Sequence, residues 1–125
     1  MLFRSVAYGL MAHYALEAAD MAADEGISVE VVDLRSLRPL DRETLLSSVK
    51  KTGKCLVAYE DNKFGGYGAE VAAIVAEEAF DWLDGPVMRV AGPDVPAIPY
   101  NHVLEDWFMV SPQKIFAGIQ ALAAY

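Results

Sequence analysis

An apolar stretch over residues 55–59 runs into Glu60-Asp61-Asn62-Lys63-Phe64-Gly65-Gly66-Tyr67-Gly68-Ala69-Glu70, and a helically periodic segment over 71–80 follows at once. Strand, glycine-rich turn and helix in that order build one unit of a parallel sheet, which confines the chain to the α/β class. Glycine permits positive φ and lets other backbone come close. The first amides of a helix have no intrahelical partner, so such a turn can hold an anion or receive a neighbouring carbonyl. Gly65, Gly66 and Gly68 do not have the G-x-G-x-x-G spacing, and the next strand ends in Val90-Ala91-Gly92 rather than in an acidic residue. A structural turn is the preferred reading over a cofactor cradle.

The alternation continues on both sides. Strands are expected over 3–8, 27–34, 54–59 and 86–91, although Arg4 and Ser5 make the first a poor interior strand. A helix over 10–25 places Met11, Tyr14, Ala15, Ala18, Met21 and Ala22 at spacings of three and four, and Gly26 closes it. Asp41 is the expected N-cap of a helix running through Lys51, and Ser111 with Pro112 opens a last helix to about residue 122. Residues 92–100 carry Pro93, Pro96 and Pro99 and read as an irregular crossing. Residues 103–109 form a short element of unassigned type. Together these predict one domain over 1–125, an α/β layer sandwich with a mostly parallel sheet.

Charge and composition narrow the function classes. A net charge of −8 argues against nucleic acid, whose affinity comes from Lys and Arg neutralising phosphates. An acidic surface instead draws a basic protein partner. Hydrophobic residues make up 54% of the chain, which fits alanine-rich helix packing and also a face covered by another subunit. Cys55 is the single cysteine, expected to be buried and inert, and its solitude fits a cytoplasmic protein. No apolar stretch is long enough to span a bilayer, so no membrane partner is expected.

Candidate chemistry is sparse. Glu60 and Asp61 stand at the carboxyl end of a strand, where α/β active sites gather, with Asp94 as the one distant companion. A free-standing enzyme using these carboxylates is one alternative; a solvated role for them is the plainer reading. His13, spaced for pairing with Glu17, and His102, in the proline-rich crossing, are the two histidines. No G-x-S-x-G elbow accompanies them. No catalytic, cofactor-binding or metal-ligating residue is therefore assigned. The acidic run Glu77, Glu78, Asp81 and Asp84 lies beside Trp82 and Leu83, and apolar anchors ringed by carboxylates suit a basic partner. Tyr125 adds a ring and the terminal carboxylate.

Several stretches jointly resemble the C-terminal domain of the transketolase-like family, nearest to the beta subunit of the thiamine-dependent first component of 2-oxo acid dehydrogenase complexes. They include Val29-Glu30-Val31-Val32-Asp33-Leu34-Arg35-Ser36-Leu37-Arg38-Pro39-Leu40-Asp41, Gly65-Gly66-Tyr67-Gly68-Ala69-Glu70 and Arg89-Val90-Ala91-Gly92-Pro93-Asp94-Val95-Pro96. The resemblance implies a three-layer α/β/α sandwich around a mostly parallel five-stranded sheet with one antiparallel strand. It also implies that thiamine diphosphate and Mg²⁺ belong to the parent complex and are held outside this region. The partners implied are a second beta subunit, the alpha subunit and the peripheral subunit-binding domain of the acyltransferase core. Asp84 and the Tyr125 carboxylate match the positions that meet basic side chains of that small domain. A stand-alone binding or regulatory module with the same fold is the other alternative.

Overall fold

The structure, a computed structural model, describes residues 2–96 and 98–125. Four strands, Leu2–Ala7 (β1), Ser28–Asp33 (β2), Cys55–Asn62 (β3) and Met88–Gly92 (β4), lie in the order β2-β1-β3-β4. Every pairing is parallel. Among the described residues the sheet thus has four strands and no antiparallel member, against the five expected. After β4 the described residues pass Pro93, Pro96 and Pro99 before the next helix.

The α-helices are Leu10–Asp24 (α1), Arg42–Thr52 (α2), Tyr67–Glu78 (α3), His102–Phe108 (α4) and Pro112–Ala123 (α5); α1 and α5 cover one face of the sheet and α2 and α3 the other. Strand alternation sorts the core into two halves. Phe3, Ala7, Leu56 and Ala58 pack with Met11, Ala15, Ile115 and Ile119 of α1 and α5. Val6, Cys55, Val57 and Tyr59 pack on the other side with Leu45, Val49, Val71 and Val75 of α2 and α3. The layers are therefore helices, sheet, helices. Asp41 caps α2 by accepting from the Thr44 amide at 3.0 Å, and Ser111 caps α5 by accepting from Lys114 at 3.2 Å. The element left untyped over 103–109 is α4, capped by Asn101.

β1 is an interior strand, contrary to the expectation drawn from Arg4 and Ser5. Arg4 is fully buried, and its Nε and Nη2 donate to the Ser48 carbonyl in the last turns of α2 at 3.1 and 3.0 Å. Its Nη1 lies at ion-pair range of the carboxylate of Glu30, its partner in register on β2. A charge in a central strand is tolerated because it is neutralised across the sheet and its donors reach a helix C-terminus. Contact with Arg4 is the largest influence holding the Glu30 carboxyl below its ordinary value of 4.5, and the Arg4 and Lys51 charges act the same way.

Glu30 is half exposed, so the cost of losing Arg4 lies mainly in the void it leaves and in the Ser48 carbonyl stripped of its donors; urea unfolding of Arg4→Ala should show a loss of about 2–5 kcal/mol and Arg4→Met a smaller one. Because the folded pKa of Glu30 is depressed, its pairing stabilises fully above the unfolded pKa and is lost as pH falls through the folded value. Glu30→Gln should flatten that acid limb of the stability curve; an unchanged limb would remove the pair from the account.

Candidate functional site

The glycine run is built around one ring. Tyr59 is fully buried at the end of the apolar part of β3. A Cβ on Gly66 would stand 2.6 Å from Tyr59 Cε2, and one on Gly68 would overlap the ring itself. Gly65 takes φ 75°, a left-handed turn that sends the chain back over the sheet. α3 begins inside the run, at Tyr67, rather than after it. The space under the turn where a diphosphate would need close backbone is filled by the Tyr59 ring. Tyr59 donates from its hydroxyl to the Lys63 carbonyl at 3.0 Å, and Tyr67 donates to the Leu37 carbonyl. Tyr8 stacks near Tyr59, with centroids 6.5 Å apart, and meets Tyr67 edge-on. Burial, then the Asp61 charge, pushes the Tyr8 phenol up to about 12, so it holds its proton through the neutral range.

The expected carboxylates do not converge. β3 and β4 slip register between Ala58 and Asn62, a bulge that carries Glu60 and Asp61 out of the ladder to the surface. Asp61 Oδ1 accepts from its neighbour Asn62 at 2.7 Å, whereas Asp94 lines a separate cavity past the end of β4. His13 and His102 are exposed, and His13 forms no ion pair with Glu17 among the described residues. Cys55 is buried, and desolvation pushes its thiol up to about 12. Among the described residues no three His, Cys, Asp or Glu side chains group as metal ligands. The residues present do not fit thiamine diphosphate and its metal.

Asp84 and Tyr125, by contrast, line one groove of about 990 Å³. Its floor is Ala69, Ala72, Ala73 and Ala76, one face of α3; its rim is Phe80, Leu83 and Val87. Two contacts hold the acidic turn in place. The Asp84 amide donates to the Gly53 carbonyl at 2.7 Å, just past α2, and Gly85 sits where a Cβ would meet Leu122 and Tyr125 at 3.2 Å. Tyr125 in turn donates its amide to the Leu122 carbonyl at 3.2 Å and is 72% exposed as a residue. Lys50 lies 5.8 Å from the Trp82 ring behind this turn. The groove is mostly apolar, with Asp81 and Asp84 as its carboxylates and Arg89 as its one cation.

Over residues 6–115 the sequence matches the family described as "Transketolase, C-terminal domain". The chain belongs to that family. It is 47% identical over 120 residues to the 2-oxoisovalerate dehydrogenase subunit beta of Bacillus subtilis, covering 96% of this chain and 37% of that one. It is 52% identical over 99 residues to the mitochondrial pyruvate dehydrogenase E1 component subunit beta-2 of Oryza sativa, covering 79% and 26%. A solved structure titled "Split gene transketolase, inactive beta4 tetramer" superposes with a TM-score of 0.81 at 36% identity, covering 97% of this chain and 38% of the other. The chain spans about a third of the length of the relatives it matches. No helix among the described residues is long and apolar enough to cross a membrane.

Sequence reading missed the Tyr59 contact, although a tyrosine ending the strand before three close glycines is its signal. It also missed the outward alanines of α3, which repeat at three and four.

A Cβ at Gly68 must displace Tyr59, so Gly68→Ala should lower stability by at least about 1–3 kcal/mol. Restoring space with Tyr59→Leu should make the double variant more stable than the sum of the two changes. Strict additivity in a denaturant-melt cycle would contradict the contact.

Proposed function

We propose that this chain is an assembly domain of a 2-oxo acid dehydrogenase beta subunit and does no covalent chemistry itself. Its groove receives the peripheral subunit-binding domain of the acyltransferase core. In the parent complex, thiamine diphosphate and Mg²⁺ are held by other segments, and this domain pairs with a second beta subunit and adjoins the alpha subunit. The relatives support the kind of complex; their printed names include both 2-oxoisovalerate and pyruvate dehydrogenase subunits, so the substrate stays at the level of a 2-oxo acid. The observation that carries docking is the groove, where Asp84 and Tyr125 line a mostly apolar trough.

Physically, such a site divides the labour. The alanine floor and the Phe80–Leu83 rim supply contact area to a small domain, and the carboxylates set its orientation. Pairing between beta subunits is supported by the apolar surface left open elsewhere, including Leu16, Tyr100, Val103 and Leu104. The related solved structure is titled a tetramer, which agrees with self-association in this family.

Truncating one partner of a charge pair that becomes desolvated costs about 2–5 kcal/mol, against under about 1 at a wet rim. The apolar walls beside Asp84 favour the first case. Isothermal titration with a peripheral subunit-binding domain should therefore show affinity falling with added salt, and Asp84→Ala losing about thirtyfold or more. Equal binding by Asp84→Ala would overturn the proposed contact.

A further inference from the structure

A second cavity adjoins the groove at Arg89, which lines both, and docking makes no use of it. It measures about 510 Å³, within the usual range of small-molecule sites, and opens where β3 and β4 end. Its frame is tied down: Lys63 donates its amide to Gly92 at 2.8 Å, and Asn62 Nδ2 donates to the Val95 carbonyl at 2.8 Å. The floor is Phe108, packed so closely that a Cβ on Gly92 would stand 2.8 Å from it.

Three of the chain's ten Lys and Arg residues line this one cavity, Lys63, Arg89 and Lys114, against a single carboxylate, Asp94. In a molecule of net charge −8 that is a local reversal of sign. None of the three has a carboxylate at ion-pair range among the described residues. Arg89 is anchored by Nη1 alone, which donates to the Lys63 carbonyl at 2.7 Å and the Tyr59 hydroxyl at 3.3 Å. Its Nε and Nη2 make no hydrogen bond among the described residues, leaving one edge of the fork for an oxyanion. Lys114 is held by the Trp107 and Met109 carbonyls at 2.8 and 2.6 Å, which fixes its charge at the wall. Beside these cations two rings are open to solvent, Phe64 at 81% and Trp107 at 58% exposure.

Cations next to open aromatic faces recognise an anion joined to a flat ring. We propose that this cavity binds a small organic phosphate bearing a planar, uncharged ring, of the size of a nucleoside monophosphate. Its phosphate would face Arg89 and Lys63, and its ring would stack on Trp107. A cationic ring is disfavoured by the same three side chains.

Trp82→Phe leaves Trp107 as the sole tryptophan, so its fluorescence reports this cavity. Adenosine monophosphate should quench it saturably, while adenosine and inorganic phosphate alone should each bind at least about tenfold more weakly. Lys63→Glu, whose side chain makes no hydrogen bond or ion pair among the described residues, should weaken binding by about tenfold or more with an unchanged melting temperature. Arg89→Met should weaken binding by a similar factor, with some loss of stability from its two hydrogen bonds. Absence of saturable quenching, adenosine binding as well as its monophosphate, or indifference to Lys63→Glu would each overturn the proposal. Asp84→Ala should leave this binding intact, so its outcome is separate from that of docking.

Discussion

The approach of the α3 backbone to the Tyr59 ring governs how the rest of this molecule is arranged. An aromatic side chain at the end of a central strand ordinarily pushes a covering helix outward. Here Gly66 and Gly68 remove the atoms that would collide, and α3 settles directly on the ring. That close seating fixes which residues of α3 turn inward, Val71, Ile74 and Val75, and which face out. The outward face is the row of alanines that floors the groove. A steric requirement inside the core thereby sets the shape of a surface.

A second constraint works from the other side of the sheet centre. Arg4 reaches from β1 to the C-terminal part of α2 and faces Glu30 on β2, so one buried guanidinium ties two strands and a helix together. Lys54 does comparable work for α5, donating to the Leu122 carbonyl at 3.3 Å. Since Leu122 also receives the Tyr125 amide, the terminal residue is placed by the same helix end. The groove beside Asp84 and the ends of two helices are mechanically continuous.

Much of this was legible beforehand because it depends on local chemistry. The caps at Asp41 and Ser111, the alternation of strands and helices, and the buried Cys55 follow from residue type and spacing. What was not legible depends on neighbours distant in sequence. Arg4 reads as a misplaced charge until Glu30 and Ser48 are beside it. Glu60 and Asp61 read as the end of a strand until the bulge against β4 turns them to solvent. Lys63, Arg89 and Lys114 are scattered along the chain and become a cluster only through the fold. Asp84 and Tyr125, grouped beforehand only through the family resemblance, share a groove because Gly85 packs on Leu122 and Tyr125.

An acidic surface, a mostly apolar trough carrying carboxylates and a core spent on holding α3 down describe a module shaped for contact. Hydrogen exchange on the complex with a peripheral subunit-binding domain tests that description most directly. Slowed exchange concentrated in residues 67–87 and in the last turn of α5 is the predicted pattern. Protection confined to α1 and β2, with the alanine face of α3 exchanging as in the free chain, would contradict it.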